Sequence, residues 1–433
     1  MSASLAATAM AWRRVLAEQP VARTAPLAVL DVGSSKVCCY IARVRPGRGF
    51  AVLGKGYQLA DGFKAGDIVD ADAADESIRA VLHEAEELAG DPLREVVLTV
   101  SGGRPRSDHV RVGMSLAGRS VSETDLRGLM RKAHEEIDGE QRSVVHVLPL
   151  EVTIDGGRPL RDPCGMSGQR LDMLAHVVSL RAQSLATIQG VLERCHVAVK
   201  GVAVASYAAG LGCLTEDELD RGCLVLDMGG GTTGLALFVE GRLAMVDQVP
   251  YGGEHVTADL AYGLSTSRKH AERIKNIYGS VLWRACDDNQ RIAVPLIGDH
   301  VELPTGEVPR TRLTQIARAR VEEILGLVQQ RLGASRDLLE ACPPRTIVLT
   351  GGASEIEGAA ELTQEMLGLP TRLGRPDPAS GIGGDAGLCC ASVVGGLALA
   401  AGDDGGLAWG ETVAVPPLRQ TLARMGHWLR QNF

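Results

Sequence analysis

The sequence has few aromatic residues and no long hydrophobic run. Phe, Trp and Tyr make up 3% of its 433 residues, and no apolar stretch reaches the ~18 residues that a membrane-spanning helix needs. Its ten cysteines show no CxxC or Cys/His spacing, which argues against a zinc site and favours buried, reduced thiols. The net charge of −8 argues against nucleic-acid binding by the body of the chain. These absences leave a large globular protein of roughly two to four domains.

The first 25 residues predict a flexible extension. This segment has no basic stretch ahead of its apolar residues, so it is a poor secretory signal. Beyond it, glycine is abundant, with 52 residues in the chain. Glycine allows tight turns and close approach of the backbone to a ligand, so the glycine-rich turns are the first place to look for function.

Two such turns follow the same pattern in different parts of the chain. In LAVLDVGSSKVCCYIARV and again in CLVLDMGGGTTGLALFVEG, an apolar strand ends in aspartate, turns through small residues and continues as a strand. This pattern predicts two β-hairpins. Neither is a P-loop, because GxxxxGK[ST] is absent and a strand, not a helix, follows each turn.

Small-residue hairpins of this kind favour phosphate binding. Glycine lets backbone N–H groups approach phosphate, and Ser or Thr hydroxyls add donors. Asp31 and Asp227, at the strand ends, are predicted to hold Mg²⁺ directly or through water. One hairpin alone is equally consistent with a structural turn, but two favour a triphosphate held between two domains. The predicted phosphate-binding residues are Gly33, Ser34, Ser35, Lys36, Gly229, Gly230, Gly231, Thr232 and Thr233.

A third glycine pair and a polar helix are candidates for the nucleoside. In RTIVLTGGASEIEG, a strand runs into Gly351 and Gly352, where a flat adenine could lie against the backbone. Ser354 and Glu357 have the spacing of a capping box, which predicts a helix beginning at Ser354. The helix SRKHAERIKNIYG places Glu272 and Lys275 on one face. Taken singly, the glycine pair is also explained by an ordinary strand–turn–helix, and Glu272 and Lys275 by a solvated salt bridge on an amphipathic helix.

The order DVGSSK, DMGGGTT, YGGEHVT, AERIK and VLTGGASEIEG resembles the actin-like ATPase superfamily. The resemblance implies an α/β, actin-like two-domain ATPase fold that closes on ATP and Mg²⁺. It implies that Gly351, Gly352, Glu272 and Lys275 contact adenosine. We expect Glu254 in the loop between the second phosphate hairpin and the helix of Glu272.

Within that superfamily, the sequence resembles the FtsA family of bacterial cell-division proteins. The stretches that carry this resemblance are LTVSGGRPRS, HVLPLEVTIDG, DPCGMSGQRLDMLAHVV and the C-terminal tail. The family has an inserted subdomain, 1C, which we interpret as an interaction module. The expected organisation is residues 1–25 as an extension; 26–103, 182–206 and 384–400 as the first domain; 104–181 as subdomain 1C; 207–258 and 331–383 as the second domain; 259–330 as its small lobe; 401–417 as a linker; and 418–433 as an amphipathic helix.

One departure from the superfamily concerns hydrolysis. Hydrolytic members carry a Glu or Gln on a helix near the γ-phosphate, where it orients the attacking water. The matching segment, GVAVASYAAGLG, is expected to be helical and has only Ser206 and Tyr207 as polar side chains. We therefore expect nucleotide binding with weak or no ATPase activity.

The tail PPLRQTLARMGHWLRQNF predicts an amphipathic helix. At ~100° per residue its large apolar side chains form one stripe, with arginines outside it. Such a short, basic, tethered helix is typical of the membrane interface. A helix docked on the protein's own core or on a partner is the alternative. The predicted membrane residues are Leu418, Leu422, Met425, Trp428, Leu429, Phe433, Arg419, Arg424 and Arg430.

The helix Pro309 to Leu332 carries the candidate partner site. The resemblance implies that this lobe binds the C-terminal peptide of the tubulin-like protein FtsZ, with Arg312, Arg318, Arg320 and Glu323 as candidates; a solvated helix face is the alternative.

The resemblance further implies self-association into filaments, attachment to anionic lipids on the inner face of the cytoplasmic membrane at the septum, and recruitment of later division proteins through subdomain 1C. Another actin-like scaffold, for pilus assembly or cell shape, and a metabolite kinase remain alternatives.

Overall fold

Two five-stranded sheets organise the chain in the computed structural model, which describes residues 25–45, 49–160, 162–284, 287–295, 306–377, 380–382 and 387–402. The strands of the first part are β1 (Leu27–Val32), β2 (Lys36–Val44), β3 (Phe50–Leu59), β4 (Phe63–Lys64), β5 (Asp67–Ile68), β6 (Glu95–Val100), β7 (Arg106–Ser115), β8 (Arg142–Ile154), β9 (Arg170–Arg181) and β10 (Ala198–Val204). Those of the second part are β11 (Cys223–Met228), β12 (Thr233–Val239), β13 (Arg242–Val249), β14 (Arg291–Val294), β15 (Gly306–Pro309), β16 (Thr346–Thr350) and β17 (Thr371–Leu373).

Helices cover the sheets and separate them. The α-helices are α1 (Ala71–Ala89), α2 (Glu123–Ile137), α3 (Ala182–Arg194), α4 (Ala205–Cys213), α5 (Glu216–Arg221), α6 (Gly253–Gly263), α7 (Arg268–Tyr278), α8 (Arg310–Ala334), α9 (Arg336–Ala341), α10 (Ala359–Leu367) and α11 (Ala391–Ala401). The described residues also form 3₁₀ turns at Gly352–Glu355 and Leu388–Cys390, which lie next to each other.

The two sheets repeat one topology. Their strand orders are β10-β6-β1-β2-β3 and β13-β12-β11-β16-β17. In each, the first strand of a hairpin pairs antiparallel with the second and parallel with a later strand, β1 with β6 and β11 with β16. Because parallel strands end at the same sheet edge, each hairpin turn lies at the carboxyl edge of its sheet, where α/β proteins bind ligands.

Two glycine-containing helices, α4 and α11, pack against each other backbone to backbone between the sheets. A Cβ added to Gly395 would lie 1.7 Å from the carbonyl oxygen of Ala208, and one added to Gly212 would lie 2.1 Å from that of Ala391. Both helices are almost entirely buried. Only glycine permits this close approach, so these helices set the spacing of the two sheets.

The third sheet belongs to an insert in the first part of the chain. Its order is β7-β9-β8, and α2 packs on it. The insert is hydrogen-bonded to the edge strand β13 of the second sheet: the Ser107 hydroxyl accepts from Val246 N at 2.7 Å and donates to Val246 O at 2.9 Å. His176 Nδ1 lies 2.9 Å from Leu243 O. The insert therefore contacts both sheets.

Three local expectations are wrong. Residues 201–204 end strand β10 rather than opening a helix, and α4 begins only at Ala205. Ser354 lies in a 3₁₀ turn and donates to Gly351 O at 2.5 Å, so the predicted capping box does not form; the next helix starts after Gly358. Glu254 lies in the first turn of α6, not in a loop. In each case the tertiary structure overrides a local expectation; residues 201–204, for example, pair with β6.

Among the helices that the structure describes, none combines the length and the apolar character needed to cross a bilayer. The predicted amphipathic helix 418–433 and most of the predicted linker lie outside the described residues, which end at 402.

We expect Gly395→Ala to lower the free energy of unfolding by roughly 1–3 kcal/mol, because the new methyl group overlaps the α4 backbone. Gly326→Ala in α8 is the matched control. Among the described residues, no atom outside the local helix backbone lies within 4 Å of a Cβ built there, so alanine should stabilise the helix by about 0.5–1 kcal/mol. Chemical unfolding of the three proteins measures both effects; equal stability of the two variants would contradict the packing argument.

Candidate nucleotide-binding site

The two predicted phosphate turns have matching geometry. Gly33 N donates to Lys36 O at 3.0 Å, and Gly229 N donates to Thr232 O at 2.9 Å. The flanking strands pair in the same register, Val32 with Val37 and Met228 with Thr233. Each turn therefore presents the same backbone arrangement at the end of its sheet.

The turns lie directly against each other across a cleft. A Cβ on Gly230 would lie 2.7 Å from Ser35 Oγ, and one on Gly231 would lie 2.5 Å from Ser34 Oγ. Serine hydroxyls of one domain thus contact glycine backbone of the other. This is the arrangement in which a group bound between the turns would touch both domains.

The buried hydroxyl of Ser34 makes no hydrogen bond within the described part of the chain. The residue is 7% exposed, and its Oγ has no hydrogen-bond partner among the residues that the structure describes. Leaving a buried hydroxyl unpaired costs about 1–3 kcal/mol. A phosphate oxygen between the turns would supply the missing partner.

Asp31 and Asp227 stand at the base of the turns, and both are disfavoured as anions. Asp31 is 6% exposed and accepts from Thr99 Oγ1 at 2.5 Å; burial raises its pKa. Burial, and then the charge of Asp31, raises the pKa of Asp227 to about 7. Two destabilised carboxylates fit a divalent cation such as Mg²⁺, which prefers oxygen ligands and stabilises both charges.

The Lys36 side chain reaches the segment that precedes α11. Its Nζ donates to Cys389 O at 2.7 Å. Burial opposes the lysine charge, but the Cys38 and Cys389 thiols and the Asp31 carboxylate together raise the pKa of Lys36. A phosphate group would offer this ammonium a stronger acceptor than the carbonyl.

Cys389 was missed by sequence reasoning. A Cβ on Gly352 would lie 3.9 Å from Cys389 Cβ, so Cys389 lies beside both Lys36 and the glycine pair predicted to contact adenosine. A hydrogen bond from Cys390, and then the Lys36 charge, lower the pKa of Cys389, while that of Cys390 is raised. No spacing rule would have identified it, since only the tertiary fold brings it beside Lys36.

Glu272 and Lys275 form more than a surface pair. Lys275 Nζ donates to Glu272 Oε2 at 2.7 Å and to Thr257 Oγ1 at 2.9 Å, and only 10% of the lysine side chain is exposed. A Cβ on Gly253 would lie 3.6 Å from Lys275 Nζ and 3.0 Å from Ala353 Cβ. The pair is thereby brought to the loop that follows Gly352, on the side predicted for adenosine.

Glu254 and Gly351 close the remaining sides of the cleft. Glu254 Oε1 would lie 2.9 Å from a Cβ on Gly230, so this carboxylate borders the second phosphate turn. Gly351 has φ +85° and would place a Cβ 2.5 Å from Asp227 Oδ1. Glycine is required there both by its left-handed backbone and by the contact.

The candidate partner residues lie apart from this cleft, on α8. Arg320 donates to both carboxylate oxygens of Asp259, at 2.5 and 3.0 Å, and to Glu323 at 2.7 Å. Arg318 donates to Glu322 at 2.6 Å, whereas Arg312 is exposed. Three of the four predicted residues are therefore already engaged in ion pairs.

Comparison with known proteins identifies the family to which the chain belongs. The family model "Cell division protein FtsA" matches residues 224–395, and "SHS2 domain inserted in FTSA" matches residues 102–179. The chain is 36% identical over 428 residues to the cell division protein FtsA of Rhizobium meliloti, covering 96% of each sequence. The chain belongs to the FtsA family. The FtsA of Pseudomonas aeruginosa is 33% identical over 355 residues, covering 82% of this chain and 84% of that sequence.

Solved structures show the same fold. The PilM–PilN type IV pilus biogenesis complex matches with TM-score 0.59 and 19% identity, covering 87% of this chain and 98% of that chain. MreB5 of Spiroplasma citri bound to ADP matches with TM-score 0.51 and 15% identity, covering 86% and 95%. The FtsA-family chain thus has the α/β, actin-like two-domain ATPase fold with an inserted SHS2 domain, which confirms the expected fold and family.

Ser34→Ala should have opposite effects on stability and binding. We expect the free energy of unfolding of the nucleotide-free protein to rise by about 1 kcal/mol, since an unpaired buried hydroxyl is removed, while ATP binds more weakly. Ser101→Ala is the control, because Ser101 Oγ already donates to Val32 O at 3.1 Å and its loss should destabilise by about 1 kcal/mol. Thermal unfolding and calorimetric titration measure the two effects; a destabilised Ser34→Ala protein would contradict the assignment.

Binding of Mg²⁺ with nucleotide should strengthen as pH rises through 7. The folded, empty protein holds a proton on Asp227 up to about pH 7, whereas the unfolded chain releases it near pH 4. That group therefore stabilises the fold at low pH, and its contribution is lost as pH rises to 7.

Because Mg²⁺ requires the carboxylate, we expect about tenfold tighter binding of Mg²⁺ with ATP at pH 8 than at pH 6. Asp227→Asn supplies the baseline for the nucleotide's own titration and should bind weakly at both pH values. Isothermal titration at each pH tests this; the same pH dependence in both proteins would contradict it.

Proposed function

We propose that the chain binds ATP with Mg²⁺ between its two domains, self-associates into actin-like filaments, and ties FtsZ to the inner face of the cytoplasmic membrane at the division septum. Membership of the FtsA family supports the division role. The observation that carries the nucleotide part is the pair of matching turns that meet across the cleft, Ser34 and Ser35 against Gly230 and Gly231.

The residues in the cleft fit Mg²⁺ and a triphosphate chemically. Asp31 and Asp227 would hold the ion, directly or through water, and Lys36 would bind phosphate oxygens. Glycine N–H groups and the Ser34 hydroxyl would supply the remaining donors. Bound Mg²⁺ neutralises phosphate charge and restores the carboxylates to their ionised form.

ATP acts in this proposal as a conformational ligand. Its phosphates would contact turns from both domains, so binding favours the arrangement in which the turns meet. Subunits held in one arrangement present the same surfaces repeatedly, which favours filament formation. Slow turnover would keep subunits in the assembled state.

The small lobe would bind the C-terminal peptide of FtsZ on α8. Arg312 is exposed and Arg320 lies among Asp259, Glu323 and the Tyr251 ring, whose centroid is 6.0 Å from the guanidinium. An acidic peptide could pair with Arg312 and exchange with Asp259 at Arg320, where partly exposed ion pairs contribute little to stability. The SHS2 insert would serve later division proteins.

The C-terminal segment would attach each subunit to anionic lipids. Helical periodicity predicts an apolar stripe that contains Leu418, Leu422 and Met425, with the three arginines outside it. Each arginine contributes about 1 kcal/mol near an anionic surface, and one such helix binds reversibly. Many subunits in a filament convert this modest affinity into avidity.

Co-sedimentation with anionic vesicles tests the tether. We expect the full-length protein with ATP to pellet with vesicles and to carry FtsZ with it, while a chain truncated after Val415 stays in solution. Leu422→Glu should weaken binding to the vesicles at least about tenfold, because it places a charge on the apolar stripe. Gln420→Glu, which adds the same charge on the opposite face of the predicted helix, should bind nearly as wild type.

Equal pelleting of full-length and truncated protein would exclude the tail as an anchor and favour a helix docked on the protein or on a partner. Vesicle binding without co-pelleting of FtsZ would reject the tether while leaving membrane attachment in place.

A further inference from the structure

A small cavity with both apolar and polar lining residues lies beneath the second phosphate turn. Its volume is about 10 Å³, close to the smallest space that holds one water molecule. Polar side chains from both domains line it, which gives a water the partners that it needs. The polar residues in its lining are Ser101, Ser206, Asp227, Thr232, Asp247 and Gln248.

Gln248 has an amide oxygen without a protein partner. Its Nε2 donates to Ser101 O at 2.6 Å, and this bond fixes which end of the amide points toward Ser101. Gln248 Oε1 is buried and has no hydrogen-bond partner within the part of the chain that the structure describes. A water in the cavity would satisfy it, since an amide oxygen accepts two hydrogen bonds.

The register of β13 places this amide next to the second phosphate hairpin. Gln248 pairs with Gly234, the second residue of β12 after the turn. A Cβ on Gly234 would lie 2.7 Å from Ser206 Cβ, so Gln248, Gly234 and the start of α4 come together. The hydroxyl of Ser206 donates to Leu235 O at 3.3 Å, so the proton of this α4 side chain is already used inside the protein.

The carboxylate of Asp247 is engaged elsewhere. Its Oδ1 accepts from Gln248 N at 2.7 Å, and its Oδ2 lies 4.0 Å from Arg331 Nη1. Among the polar residues of the cavity, Gln248 therefore combines an unpartnered acceptor with a fixed orientation, and Asp227 stands at the base of the phosphate turn.

We propose that Gln248 orients the water that attacks the γ-phosphate of ATP, so that β13 supplies the amide that α4 lacks. The inference rests on the proposed nucleotide site. The water donates a hydrogen bond to Gln248 Oε1, which directs an oxygen lone pair toward the phosphorus. The water oxygen bonds to the γ-phosphorus, the bond from phosphorus to the bridging oxygen breaks, and ADP leaves with the electron pair. The proton of the water passes to the released phosphate.

An amide cannot accept this proton itself, so Gln248 acts by positioning alone. A site of this design hydrolyses slowly. That property suits a filament whose subunits remain assembled on ATP and disassemble after turnover.

Two substitutions separate this role from a structural one. Gln248→Met removes both the acceptor and the bond to Ser101, whereas Gln248→Glu keeps an acceptor and removes only the donor. We expect single-turnover hydrolysis of Mg²⁺-bound ATP to fall at least about tenfold in Gln248→Met and to be partly retained in Gln248→Glu. Gln329→Leu is the matched control, because Gln329 Nε2 likewise donates to a backbone carbonyl, Met366 O, at 2.6 Å but lies away from the cleft.

A binding measurement provides a readout besides turnover. Mg²⁺ with ADP and aluminium fluoride mimics the phosphoryl group under attack by water. Wild-type and Gln329→Leu proteins should bind this mixture more tightly than Mg²⁺ with ADP alone, as measured by calorimetry. Gln248→Met should bind the fluoride mixture no more tightly than Mg²⁺ with ADP, while its affinity for ADP changes less than about twofold.

The outcomes separate this inference from the proposed function. Suppose that Gln248→Met hydrolyses ATP at the normal rate and still binds the aluminium fluoride mixture more tightly than Mg²⁺ with ADP. That result would overturn the role of Gln248 and leave the nucleotide site intact. Gln248→Glu as inactive as Gln248→Met, with weakened ADP binding in both, would assign Gln248 the structural bond to Ser101 only. A wild-type protein that binds neither ATP nor ADP would reject the nucleotide site itself.

Discussion

The close contact between two small-residue turns is the constraint on which the rest of this structure depends. Ser34 and Ser35 meet Gly230 and Gly231 at distances that exclude any side chain on the glycines. The contact requires the two sheets to lie at one spacing, which α4 and α11 set by their own glycine contacts. A side chain added at either place would separate the domains and widen the cleft.

The cleft is also electrostatically unfavourable when empty. Burial raises the pKa of Asp31 and of Asp227, and Lys36 is held by a carbonyl oxygen instead of an anion. The hydroxyl of Ser34 has no partner in the described structure. Such an arrangement costs stability in the protein alone, and the proposed binding of nucleotide with Mg²⁺ would return it and would couple ligand binding to the domain arrangement.

Strand β13 connects this cleft to the insert. Its residues Leu243 and Val246 hydrogen-bond to His176 and Ser107 of the insert, and two residues later Gln248 reaches Ser101 beside the phosphate turn. A shift of the insert against the second sheet would therefore move the amide of Gln248. Under the proposed function, β13 would couple a protein bound to the insert to a nucleotide in the cleft.

The sequence by itself determined the hairpins, because an apolar run, an aspartate and small turn residues specify that structure through local preference. It also determined the face shared by Glu272 and Lys275, which follows from helical periodicity. Local pattern failed at Ser354 and Glu254, where packing of the neighbouring turn decided the element. Only the tertiary structure decided which turns meet, which thiol lies beside Lys36, and that Gln248 borders the second phosphate hairpin. Those contacts join residues far apart in the chain, and no short-range spacing encodes them because they arise from the packing of two sheets against one pair of helices.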